Sequence, residues 1–304
     1  MSSVLAAVLP VFLLIFLGYA IRVRGWVAAA FWEPAERLTY FVLFPALLVV
    51  TLAGADLSQF AILRMAAVLV ISILALSAVL FLAHARSGGD GPAFTSLLQG
   101  AIRMNSYIGL AVAFGVHGPA GVAAAALAIA IIVPIVNLLS VGALARYGAG
   151  ARPTLVGTLE AIVTNPLILA VLAGILLNAS GLGLPPIVEP LLEILGRAAL
   201  PMGLLAVGAG LDFAAARAGR KTIALACALK LVLLPLATAL LCDLFDVEGV
   251  ARFVALLYNA TPTATSSYIL ARQLGGDAKL MAGILTVQTG LAVITLPLAL
   301  ALLA

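Results

Sequence analysis

Charge is what this 304-residue chain has least of: Asp, Glu, Lys and Arg together fill 9% of its positions, against roughly 25% in an ordinary soluble domain. So few charges cannot clothe a water-facing surface, which excludes a soluble globular protein. Histidine is limited to His84 and His117, which lie at opposite edges of the apolar pattern and cannot share a metal. There is no HExxH, no P-loop, no paired-acid motif and no serine with a histidine to activate it. Enzymatic catalysis and ATP-driven transport within the chain are therefore not expected, nor is any cofactor or metal. The two cysteines, Cys227 and Cys242, fall in one apolar span, roughly 22 Å apart along a helix, too far to bridge within the chain. No low-complexity tract or long linker leaves room for a soluble domain.

What is abundant is apolar surface: 64% of the residues are hydrophobic. Apolar spans cover residues 4–22, 36–55, 60–83, 94–115, 119–145, 157–178, 186–211, 222–242, 250–271 and 279–303, each close to the roughly 20 residues a bilayer core requires. This predicts an all-α membrane protein of ten transmembrane helices. No positive charge precedes the first span, while Arg22 and Arg24 follow it, so it is expected to stay as helix one rather than act as a cleaved signal. The net charge of +4 comes from cations in short loops and not from a basic patch with aromatics, so nucleic acid is not an expected partner. Eleven Lys and Arg, Arg152 among them, lie in the loops after helices one, three, five, seven and nine, against Arg64, Arg197 and Arg252 on the other side. That bias places both termini outside a cell membrane. Arg103 and Lys230 are left inside spans.

The two halves repeat each other. At an offset of 156, Pro10, Gly18, Pro34, Pro45 and Asp56 recur as Pro166, Gly174, Pro190, Pro201 and Asp212; at 161, Ser106-Tyr107-Ile108 recurs as Ser267-Tyr268-Ile269 and Gly115 as Gly276. Repeats of five spans, an odd number, must be inverted relative to each other, an arrangement typical of alternating-access carriers. The reading is a first repeat at 1–147, a hinge at 148–153 ending in Arg152 and Pro153, and a second repeat at 154–304.

Helix nine carries the oddest stretch, YNATPTATSSYILARQLGG from Tyr258. Asn259, Thr261, Pro262 and Thr263 are polar or helix-breaking at mid-depth, which lipid tolerates only where protein or a water-filled cavity satisfies the freed backbone. Helix four has the corresponding cluster Arg103, Asn105 and Ser106, without a proline. Half-helices starting near Ser106 and Thr263 would aim positive dipole ends at the midplane, a setting for an anion. Arg103 and Lys230, with no Asp or Glu comparably deep, add positive charge. The expected substrate-binding residues are thus Arg103, Asn105, Ser106, Lys230, Asn259, Thr261, Pro262 and Thr263. Asp56 and Asp212 read as helix-terminal, Glu193 and Arg197 as an i, i+4 pair, and Asn137 and Gln288 as interhelical bonds.

Six stretches also carry a resemblance: LPVFLLIFLGYAIRVRGW from Leu9, LTYFVLFPALLVVTLAGADL from Leu38, GAIRMNSYIGLAVAFG from Gly100, NPLILAVLAGILLN from Asn165, AALPMGLLAVGAGL from Ala198 and NATPTATSSYILARQLGGDAKLMAGILTVQTGLAVITLPL from Asn259. In order and spacing they resemble the auxin efflux carrier family, in its branch of compact bacterial permeases of malonate and malate type. The resemblance implies two inverted five-helix repeats like those of bile-acid sodium symporters. Helices one, two, six and seven would form a scaffold and the others a transport domain moving as an elevator, with helices four and nine crossing at their breaks. Asn105 and Pro262 match the family's crossing residues, whereas Met104 stands where the plant carriers have a proline.

The function expected is a secondary transporter or facilitator of a small organic anion, a carboxylate, in the lipid bilayer. A sodium-coupled symporter of the same fold is the alternative, with a channel or receptor behind it. The coupling ion, H+ or Na+, and a homodimer stay open.

Overall fold

A computed structural model of the chain describes residues 2–57, 60–150, 154–217 and 219–304, with side chains except at Ser2, Ser3, Leu155 and Thr158; Arg152 and Pro153 of the expected hinge lie outside the described residues. Helices α1 (Ser2–Val23), α2 (Ala29–Ala53) and α3 (Ile62–Ser87) come first. Then α4 (Gly91–Ile102) is followed by the long α5 (Ser106–Tyr147). The second half runs α6 (Leu155–Val163), α7 (Pro166–Ser180), α8 (Val188–Ala209), α9 (Arg220–Leu244), α10 (Gly249–Ala260), α11 (Thr265–Leu274) and α12 (Ala278–Leu303). No strand occurs among the described residues.

Seven of these stretches are long and apolar enough to cross a membrane by length and composition, counting 91–147 once. The stretch 91–147 is not one rod. It opens at Arg103–Asn105, and within α5 Gly118 takes φ 57 and ψ −141, a conformation only glycine adopts readily, just before Pro119. The span at 94–115 is split near Ser106, as the half-helix reading expected, whereas the span at 157–178, read as continuous, is also split, between Val163 and Pro166. Asn165 makes that split, accepting from the backbone N–H of Leu167 (3.0 Å) and Ile168 (3.4 Å) as an N-cap. The second span also begins earlier than residue 36, at Ala29.

The helices sort into two neighbourhoods. In one, α1 lies along α8, and α2 packs on α7 and α8. In the other, α3, α9, α10 and α12 surround α4 and α5, and α11 lies on α12. The α1–α8 contact is backbone on backbone: a Cβ on Gly208 would sit 1.8 Å from the Ile15 carbonyl oxygen, and one on Gly18 would sit 2.1 Å from that of Leu205. Close approach through small residues is how helices associate where lipid offers no hydrophobic drive between them. Arg22 fastens the same pair, its Nη1 donating to the Ala209 carbonyl at the end of α8 (2.6 Å). Asp212 is helix-terminal as expected, accepting from the N–H of Ala214 (2.9 Å) and Ala215 (3.1 Å). Cys227 and Cys242 are buried and free.

Because the atom facing Gly208 is backbone, it cannot yield as a side chain tip can. Gly208→Ala is expected to destabilise by about 1–3 kcal/mol or more, read as a lower melting midpoint and reduced monodisperse yield in detergent.

Candidate functional site

The break after α10 follows from one missing atom. Pro262 has no N–H, so the Tyr258 carbonyl four residues earlier loses its helical donor. Two side chains replace it: Thr261 Oγ1 donates at 2.8 Å and Lys230 Nζ at 3.2 Å. Lys230 is fully buried (0% exposed) on α9, in a π-helical turn at Leu229–Leu233. It sits behind the break and replaces a backbone proton.

The break after α4 forms without a proline. Arg103 (φ −78, ψ 153) and Asn105 (φ −88, ψ 104) are extended. The carbonyls at the end of α4 take side-chain donors from other elements, that of Gln99 in addition to the N–H of Arg103 (3.0 Å). Thr263 Oγ1 donates to the Gln99 carbonyl (3.3 Å), and Gln288 Nε2 donates to that of Gly100 (2.9 Å). Gln288 Nε2 also donates to the Ala226 carbonyl (3.1 Å), while its Oε1 accepts from Thr263 N (2.9 Å). One amide on α12 thereby serves both breaks and α9.

The half-helices that resume after the breaks differ at their N-termini. Asn105 caps α5, its Oδ1 accepting from the N–H of Tyr107 and of Ile108, both at 3.1 Å. The second half-helix starts at Thr265, two residues later than the sequence suggested, and its cap position holds Ala264, which has no side chain to offer. Its positive end is left to whatever fills the adjoining space.

That space is a cavity of about 530 Å³ between the two helix neighbourhoods, lined among others by Glu36, Tyr40, Arg103, Asn165, Ala264 and Ser266, with a smaller recess of about 60 Å³ where Asn105, Ser106 and Thr265 meet Glu36. Arg103, 7% exposed, bridges the two broken helices: Nη1 donates to Asn137 Oδ1 and Nη2 to Ser266 Oγ, both at 2.9 Å. Among the described residues the ion pairs are Arg197–Glu193 (3.3 Å) and Arg252–Asp243 (2.5 Å), so this guanidinium has no carboxylate partner. Asn105 Nδ2 is buried and donates to nothing, as does Arg103 Nε. A buried donor left without an acceptor costs about 1–3 kcal/mol, which a bound acceptor recovers.

Of the residues picked from sequence, Arg103, Asn105 and Ser106 line this space. Thr261, Pro262, Thr263 and Lys230 form the break behind it. Asn259 lies deeper still, its Nδ2 donating to Ser72 Oγ (2.9 Å) and Thr238 Oγ1 (2.8 Å), which ties α10 to α3 and α9. The structure adds Glu36, Tyr40, Asn165, Thr265 and Ser266. Sequence reading found no acid as deep as Arg103, yet Glu36 reaches the broken helix: its Oε1 accepts from Thr265 Oγ1 at 2.5 Å. Because α2 begins at Ala29, Glu36 stands inside that helix rather than at its mouth. Asn165 had a local signal, an Asn-Pro pair at a helix start, and its Nδ2 donates to Tyr40 Oη (2.9 Å).

Comparison with known proteins agrees with a role in transport. Residues 153–300 match the family described as membrane transport protein. The chain is also 28% identical over 296 residues to an "Uncharacterized transporter" of Methanothermobacter thermautotrophicus, covering 96% of this chain and 95% of the relative.

Replacing Gln288 by Leu strands Thr263 N and the Gly100 carbonyl, while the Ala226 carbonyl keeps the N–H of Leu229. At about 1–3 kcal/mol for each buried unpaired group, the Gln288→Leu protein is expected to melt many degrees below wild type in detergent, whereas Gln273→Leu on the cavity wall leaves the midpoint nearly unchanged.

Proposed function

We propose that the chain, of which residues 153–300 match the membrane transport protein family, is a secondary carrier of a small organic anion, a carboxylate, working by alternating access. The observation that carries this reading is the convergence of unspent donors on one cavity. The uncapped start of α11, the unpartnered Asn105 Nδ2 and the unpaired Arg103 guanidinium all border it. Helix N-termini and guanidinium groups are the common ligands of carboxylates.

The carrier reading draws support from the breaks. At 1.5 Å per residue, the 12-residue α4 and α10 each span about 18 Å. In ten crossings, each would end a little past the middle of a roughly 30 Å hydrocarbon core and hand over to a second half-helix. Five crossings in each half, with the fourth broken, fit inverted repeats with both termini outside. The grouping of α1, α2, α7 and α8 apart from the helices around the breaks suits a scaffold against which an elevator-like transport body is displaced, as in the auxin efflux carrier family. The cavity lies between these groups, where relative displacement would expose it to one side and then the other.

Purified protein in liposomes is expected to take up at least one member of a panel of mono- and dicarboxylates under an imposed gradient, and no uptake of any overturns the reading. Dependence of that uptake on sodium would assign a sodium symporter instead. Asn105→Asp keeps the oxygen that caps α5 but replaces the free donor by a negative charge. It is expected to lower uptake about 10- to 100-fold with the melting midpoint within a few degrees of wild type.

A further inference from the structure

Among the described residues, Glu36 is the carboxylate shown bonded at the uncapped end of α11. Thr265, the first residue of that half-helix, donates its hydroxyl to Glu36 Oε1. The same recess is lined by Asn105, 1% exposed, whose buried Nδ2 has no partner. The place that suits an incoming carboxylate is therefore already held by a carboxylate of the chain's own, brought from α2 on the far side of the cavity. Two anions cannot share these donors: the like charges repel and the hydroxyl and the helix end serve one of them.

We propose that Glu36 is an internal competitor for the anion site, and that a proton taken up by Glu36 accompanies each substrate anion bound. This rests on the carrier reading above and adds the coupling ion to it. The charge balances: a proton from the solvent neutralises Glu36, Thr265 and the α11 end are released, the substrate carboxylate takes them, and the cavity's net charge is unchanged. Water reaches the group along the cavity wall, where Glu33 and Arg37 are exposed.

The charged and titratable neighbours are few. On α2 itself they are Glu33, Arg37 and Tyr40, and from the α4–α5 break Arg103 and Tyr107. From α11 the wall offers the neutral Thr265 and Ser266, with Tyr268 and Arg272 further along that helix. From α7 comes Asn165, occupied by Tyr40, and α6 carries Glu160. On α8, Glu189 stands in the first turn, and Glu193 and Arg197 satisfy each other at the exposed surface. Of all these groups, Thr265 is the one shown bonded to the Glu36 carboxylate, so its protonation is read out there.

The test compares wild type with Glu36→Gln in liposomes, using the same carboxylate panel and a trapped pH-sensitive dye, between about pH 5.5 and about pH 8. For wild type the KM of uptake is expected to rise tenfold or more toward high pH, with interior acidification accompanying uptake. For E36Q the KM is expected to stay low and flat, without acidification; comparing the two at the same substrate removes the substrate's own titration. Uptake by E36Q with the wild-type pH profile overturns the coupling and leaves the carrier reading intact. No uptake of any panel member by wild type overturns the carrier reading itself. Should E36Q not fold, Thr265→Val removes the hydroxyl that serves Glu36 and then the substrate, which raises KM at every pH but also removes the donor that favours the ionised Glu36. The midpoint of its KM–pH curve is expected to move to higher pH, and an unmoved midpoint overturns the proposal.

Discussion

Hydrocarbon offers no hydrogen bonds, so every backbone group released by interrupting a helix must be answered by protein. That constraint organises the centre of this molecule. Pro262 removes one N–H and a lysine is buried to replace it; α4 ends at Ile102 and a glutamine on α12 and a threonine from the other break take up its carbonyls. The two interruptions are mutually dependent, because Thr263 serves α4 with its hydroxyl while its own N–H is served by Gln288.

Satisfaction is not uniform: the side-chain amide of Gln99, Tyr258 Oη and Asn105 Nδ2 are among the buried polar groups left without partners. Behind the breaks, Asn259, Thr261, Thr263, Lys230 and Gln288 are bonded. Toward the cavity, Ala264 leaves α11 uncapped and Asn105 keeps one donor free. An alanine where the partner half-helix has an asparagine is a small difference in sequence, but it separates a helix end closed on itself from one that needs a ligand.

How far the sequence foretold this follows from what kind of signal each feature leaves. The apolar spans, the break at Pro262 and the polar cluster at Arg103–Ser106 are local in the chain and were legible. The completeness of the α4 break was not, because Met104 removes the proline cue and the break is held by Thr263 and Gln288, more than 150 residues away in sequence. Lys230 was legible as buried but not as a substitute for a backbone proton, since its partner at Tyr258 is set by how α9 and α10 pack. Glu36 escaped because an acid near the start of an apolar span reads as a helix-end charge. Only the earlier start of α2 and the placement of α11 across the cavity bring it to Thr265.

The charge balance of the interior then takes on a functional meaning. Lys230 is required by Pro262 and Arg103 ties α4–α5 to α11, so both cations are committed to structure whether or not a ligand is present. Buried cations without carboxylate partners are costly in a membrane, and their field favours any anion that enters. A site that only attracts would hold its substrate and turn over slowly. In the carrier proposed above, a carboxylate fixed to the opposite helix group would supply the counterweight: ionised, Glu36 would fill the α11 end when the substrate has left, and protonated, it would yield. The same contact, Thr265 to Glu36, joins the two helix groups across the cavity, so exchanging Glu36 for a substrate carboxylate also exchanges a bond between those groups for a bond to a ligand that moves with one of them.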